Sequence, residues 1–146
     1  MNSVIFLNSF IAMWLLSFVS QPKGDLQIEI TGLRNSKGTV LVALYDNAEY
    51  FPDESSRTAA HGSATIVNGK AMVHFTNLPS GKYAAAIFHD ENNNGKMDFN
   101  MLGIAKEGYG FSNNAKAKFG PPSFAKAAFL LSANKTNLGI KATYFF

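Results

Sequence analysis

The chain has 146 residues, 47% of them hydrophobic and only 16% charged, with a net charge of +3 and no cysteine. That length is enough for one domain with a real hydrophobic core and short for two. Without thiols there are no disulfides and no Cys nucleophile. The mild basicity is spread along the chain, with Lys116 and Lys118 its nearest approach to a cluster, and reads as solubility rather than as a nucleic-acid or membrane-surface footprint.

Residues 1–21 stand apart. Met1 to Ser20 carries no charged side chain, and apolar runs occupy 4–7 and 10–16 before an abrupt shift to Gln21-Pro22-Lys23-Gly24-Asp25. This predicts a secretory signal peptide. An uncleaved N-terminal anchor is the alternative, because Met1-Asn2-Ser3 lacks Lys and Arg and Phe18-Val19-Ser20 ends on a large residue where a small one is preferred. No Cys near position 20 offers a lipid attachment point, and no later segment approaches the roughly 18 apolar residues that span a bilayer. The expected mature chain, 22–146, is a single domain, secreted or held in the periplasm or cell envelope. It is not an integral membrane protein once the leader is removed.

Leu26-Gln27-Ile28-Glu29-Ile30 alternates with period two, as a half-buried strand does. The Arg34 to Gly38 turn leads to Thr39-Val40-Leu41-Val42-Ala43-Leu44-Tyr45, too apolar for an edge, which is expected to pair with the first strand as a hairpin. Tyr50-Phe51-Pro52 predicts an aromatic anchor within a loop. Asn68-Gly69 between the apolar runs 63–67 and 70–75 predicts a type I′ hairpin, and Asn77 to Gly81 a second tight turn. Lys82 to Phe88 contains three alanines but is short and bounded by turns. It reads as a strand whose small residues let another element pack closely. From Phe99 to Pro122 turn chemistry dominates, and the aromatics Phe99, Tyr109, Phe111 and Phe119 suggest self-packing. Ser123 is placed to cap one helical turn to Ala127. Segments 128–132 and 138–144 then read as a closing hairpin, with Leu138, Ile140, Ala142 and Tyr144 on one face. About seven short strands and almost no helix predict an all-β, antiparallel β-sandwich, immunoglobulin-like or transthyretin-like.

The most informative stretch is His89-Asp90-Glu91-Asn92-Asn93-Asn94-Gly95-Lys96-Met97-Asp98. Asp90, Asn92 and Asn94 take the first, third and fifth positions of an EF-hand-type calcium loop. Gly95 takes the bend at the sixth, Lys96 offers its carbonyl at the seventh, and Asp98 stands at the ninth. Met101 occupies the twelfth position, where a bidentate Glu belongs. Two carboxylates predict weak affinity, in the roughly 0.1–1 mM range of extracellular modules, with Asp46 or Glu107 as candidates to complete the shell. Magnesium fits less well. The same residues also make a good solvent turn in which Asx side chains bond their own backbone, so calcium site and bare turn both stand. His61, His74 and His89 lack metal-ligand spacing. His74 reads as a strand-face residue, and His89 as one that orients the loop. No G-x-S-x-G and no P-loop is present. Tyr109, Phe111 and Phe119 form a candidate partner surface, with loop packing as the plainer reading.

Phe88-His89-Asp90 to Asp98, Leu102-Gly103-Ile104, Glu107-Gly108-Tyr109-Gly110-Phe111-Ser112-Asn113-Asn114-Ala115 and Phe119-Gly120-Pro121-Pro122-Ser123-Phe124 resemble a bacterial exported family of unknown function, DUF2141, along nearly all of 26–144. The resemblance implies a secreted or periplasmic β-sandwich with no established activity. Ala105 stands where the family tends to carry Pro, and Ala125 and Lys126 where it is often acidic. The Asp-x-Asn-x-Asn-Gly run is also similar to calcium loops of B-type repeats in Gram-positive surface adhesins. Transthyretin-like hydroxyisourate hydrolases share the expected architecture, but their C-terminal Tyr-Arg-Gly-Ser is replaced by Thr143-Tyr144-Phe145-Phe146. The leading expectation is a non-enzymatic exported binding or structural module. Its loop would be calcium-braced and form one unit with the glycine-aromatic stretch, and its partner would belong to the cell envelope or be a carbohydrate. The alternative is a small hydrolase or carbohydrate-active protein using His89, Asp90 and the aromatic loop, which requires a cleft where those side chains converge.

Overall fold

Strand is the dominant secondary structure of the computed structural model, which describes residues 20–146. The apolar leader, 1–19, lies outside the described residues. Among the described residues eight strands form two sheets: β1 (Lys23–Thr31), β2 (Thr39–Tyr45), β3 (Ala60–Ala64), β4 (Ala71–Pro79), β5 (Gly81–Asp90), β6 (Gly108–Phe111), β7 (Phe129–Leu131) and β8 (Lys135–Lys141). One sheet has the order β4-β1-β8, and the other β3-β2-β5-β6 with β7 paired to β5. All pairings are antiparallel except β1 with β8, which is parallel. The all-β expectation holds, and β5 is a strand despite its alanines. Among the described residues no helix is long and apolar enough to cross a membrane.

The expected hairpins do not form. β1 and β2 lie in different sheets, as do β3 and β4, and β7 and β8. Asn68-Gly69 does make the tight turn foreseen, with φ of 51° and 72° and Val67 bridging Lys70. The turn carries the chain across the sandwich instead of folding it back. Turn chemistry fixes local reversal. Which sheet receives the next strand is decided by burial: Leu26, Ile28 and Ile30 face Val40, Val42, Leu44 and Ile87 across the interior. Ile140 and Ala142 join that core and Leu138 packs against it, as their alternation predicts.

The larger sheet is apolar on its outer face too. There Phe51 packs edge-on against Tyr45, Phe111 and Phe124 at centroid distances of 5.4, 5.8 and 5.9 Å, which confirms the aromatic anchor. Ala84 and Ala127 are both sealed in this second cluster, so the alanines of β5 do admit a closely packed neighbour, the single turn α1 (Phe124–Ala127). Ser123 sits at the cap position without a side-chain capping bond. Its carbonyl accepts from the Lys126 and Ala127 amides instead.

Candidate functional site

β5 ends at Asp90, so the acidic loop leaves a strand as expected. Asp90 is 3% exposed, and its two carboxylate oxygens accept the backbone amides of Asn94 (3.1 Å) and Gly95 (2.8 Å). The Asn92 and Asn94 side-chain oxygens accept the amides two residues on, at 3.1 and 2.8 Å, as Asx turns. Their amide groups meet Asp98, Asn92 at 2.7 Å and Asn94 at 3.1 and 3.2 Å from its carboxylate oxygens. Gly95 takes the left-handed bend at φ 73°. Met101, at the twelfth position, points fully into solvent. Glu107 is 4% exposed and spans the loop, one oxygen accepting the Glu91 amide at 2.8 Å and the other the Asp98 amide at 3.1 Å. Asp46 follows Tyr45, which pairs with Ala84 at the far end of the β2–β5 ladder from the Thr39–Asp90 pair, so it cannot complete the shell. Among the described residues no three Asp, Glu, His or Cys side chains form a metal-holding group.

His89 is wholly buried and faces the interior, whereas the alternation of β5 turns Asp90 to the opposite face. Its Nε2 lies 2.6 Å from the Lys37 carbonyl, which can only accept, so Nε2 carries a proton; Nδ1 lies 2.7 Å from the Tyr144 hydroxyl. His89 thus ties β5 to the turn before β2 and to the C-terminus. Sequence reasoning missed the group beside it. Arg34 donates to Glu91 at 2.7 Å, to the Phe146 carbonyl at 2.8 Å and to the Lys106 carbonyl at 3.1 Å, with its guanidinium 4.6 Å from the Tyr144 ring centroid. Burial pushes the Glu91 carboxyl up, but the Asn35 hydrogen bond and the bond and charge of Arg34 outweigh it and hold the group below the ordinary glutamate range. Burial also pushes the Tyr144 hydroxyl up.

Most positions of the stretch 108–114 have a structural task. A Cβ at Gly108 would overlap the Tyr144 ring, and Gly110 packs against Ile140. Ser112, fully buried, accepts the Ala85 amide at 2.9 Å and donates to the Ala127 carbonyl, fastening β5 to α1. Asn113 and Asn114 adopt φ of 59° and 47°; Asn113 donates to the Ala128 carbonyl at 2.8 Å and Asn114 accepts the Lys141 amide at 2.8 Å. A family model described as an uncharacterised protein conserved in bacteria, DUF2141, matches residues 28–138. The chain belongs to the DUF2141 family.

No curated protein sequence matches this DUF2141 chain. Two solved structures of a pilus-presented adhesin, Spy0125 (Cpa), one of them a Cys426Ala mutant in that protein's own numbering, are similar at 13% and 12% identity with TM-scores of 0.27 and 0.24. In each case 85% of this chain covers 27% of the other, so the chain spans about a quarter of the adhesin.

Of the aromatics expected to pack together, Tyr109 stacks on Phe145 (5.5 Å) and meets Phe111 edge-on (6.1 Å), but Phe119 and Phe99 are 92% and 59% exposed. Self-packing therefore covers only part of the loop. Tyr109 and Phe111 line a groove of about 810 Å³ on the outer face of the larger sheet, and Phe99 joins them. Gly95 and Met97 of the acidic loop also line it, but His89 and Asp90 do not. The signal for this groove was present in Thr39–Tyr45: a strand apolar at both parities has apolar surface on both faces.

Proposed function

We propose that this DUF2141 chain is an exported, non-enzymatic, single-domain binding or structural module whose strand-exit loop is braced by calcium. The observation that carries the reading is the cluster in which the Asn92 and Asn94 side-chain amides both donate to the Asp98 carboxylate, which brings three of the expected ligand side chains together in one turn. An amide oxygen has two lone pairs, so each Asn can keep its Asx bond and still ligate an ion. The ion would replace the two amide groups as the partner of the Asp98 charge. Glu107 supports the loop through its backbone instead of supplying a twelfth-position ligand, so the ligand charge stays low and the affinity weak. Export is supported by the apolar leader and the lack of cysteine. The geometry offers His89 and Asp90 no shared cleft, so the non-enzymatic reading is preferred to the hydrolase.

Thermal melts across a calcium titration test this. At tenfold over a Kd of about 0.1–1 mM, linkage stabilises by about 1.4 kcal/mol, a rise of roughly 3–8 °C. Asp98→Asn keeps a hydrogen-bonding head group but removes one carboxylate, and is expected to abolish most of the rise. A wild-type melting temperature unmoved by millimolar calcium would overturn the reading.

A further inference from the structure

The outer-face groove is a regular object. Two cross-strand rows make its floor: His61–Ala43–Ala86–Phe111 and Ser63–Leu41–Phe88–Tyr109, each read directly from the register of β3, β2, β5 and β6. Four strands give three spacings, so a row runs about 14 Å across the sheet. The paired alanines sink the middle of the first row into a trough. The 52–58 segment walls it on one side, over Tyr45. The short hairpin closed by the Phe99–Ala105 bridge walls it on the other. The volume, about 810 Å³, lies within the range of small-molecule sites.

The two ends differ in charge. At the β3 mouth stand Asp53 and His61. At the β6 end, Tyr109, Phe111 and Gly120 also line a second, smaller pocket of about 380 Å³, whose charged residues are Lys116 and Lys141. Neither lysine belongs to an ion pair among the described residues. The floor rows offer no hydrogen-bonding side chain between their ends, so a sugar would lose hydration of its hydroxyls there without replacement. An apolar chain would not.

We propose that the groove and the lysine pocket together bind a single-chain anionic amphiphile. Its carboxylate or equivalent anion lies between Lys116 and Lys141, and its chain passes over Phe111 and Tyr109 into the Ala43–Ala86 trough. Asp53 at the far mouth repels the anion and fixes this orientation. The site is independent of the calcium reading, since no ion ligand contributes a side chain to it.

Isothermal titration calorimetry with decanoate, below the concentration at which it forms micelles, tests the proposal, with 1-decanol as the uncharged comparison. Wild type is expected to bind one decanoate saturably. Ala86→Phe, which fills the trough, should abolish binding of both ligands; Ala43→Leu, on the neighbouring strand, should weaken both. Thermal melts confirm that each variant is folded. The double variant Lys116→Gln/Lys141→Gln should weaken decanoate by roughly fivefold and leave decanol unchanged. Absence of saturable decanoate binding by wild type would overturn the proposal. So would wild-type affinity in both trough variants, or equal weakening of both ligands by the lysine variant.

Discussion

Asp90 and Glu107 are nearly sealed from solvent, yet neither has a cationic side-chain partner among the described residues. Each is satisfied by two backbone amides. A buried carboxylate held this way costs little because amide dipoles replace water, and deleting it leaves donors without acceptors. Asp90→Ala is therefore expected to lower stability by about 1–2 kcal/mol in urea unfolding, the low end because Asn94 and Gly95 remain near solvent. Asp90→Asn, which keeps one oxygen, should cost about half as much. Equal losses would mean that the two amide bonds do not set the loop's stability. The Asp90 position was legible because alternating Asp and Asn before Gly is a local pattern. The partnership of Glu107 was not, because it bonds residues 16 and 9 positions away, and nothing local says where a lone Glu will reach.

At the scale of elements, β6 is the joint between the acidic loop, the C-terminus and α1. Its four residues pair with β5, bridge Thr143 through Tyr109, and leave room at Gly108 for the Tyr144 ring. Gly108→Ala is expected to displace that ring, break the Tyr144–His89 bond and cost about 1–3 kcal/mol, as overpacking does. Gly108→Ala combined with Tyr144→Leu should recover part of the loss in a double-mutant cycle. Additive losses would show that the two positions are not in contact. The stretch 107–114 owes its character to such fits: the sequence showed its glycines and asparagines, while the reason for each lies in residues elsewhere in the chain. The hairpins failed for the same reason. Asn68-Gly69 encodes a reversal, but the partner of β4 is β1, more than forty residues earlier, and local periodicity contains no information about that pairing.

Across the whole molecule, Arg34 gathers three separate parts: Glu91 at the head of the acidic loop, Lys106 after the exposed hairpin, and the C-terminal segment through the Tyr144 ring and the Phe146 carbonyl. Its charge is balanced chiefly by Glu91, so the closure of the sandwich at this end depends on that carboxylate staying ionised. Glu91 in the folded chain titrates below the ordinary value of 4.5, because the Asn35 and Arg34 contacts outweigh the opposing effect of burial. Its contribution to stability is then complete above about pH 4.5. It is lost as pH falls through the lower folded value, where the folded state must take up the proton. Urea midpoints of wild type and Glu91→Gln, compared from pH 7 downwards, should differ most near neutrality and converge below pH 4.5, the variant showing the shallower acid slope. Arg34→Met should flatten the slope in the same way, since it removes the charge that lowers Glu91. If Arg34→Met kept the full wild-type slope, Asn35 and His89 would be holding the carboxylate down without it, and Arg34 would act here through its bonds to Lys106 and Phe146 only.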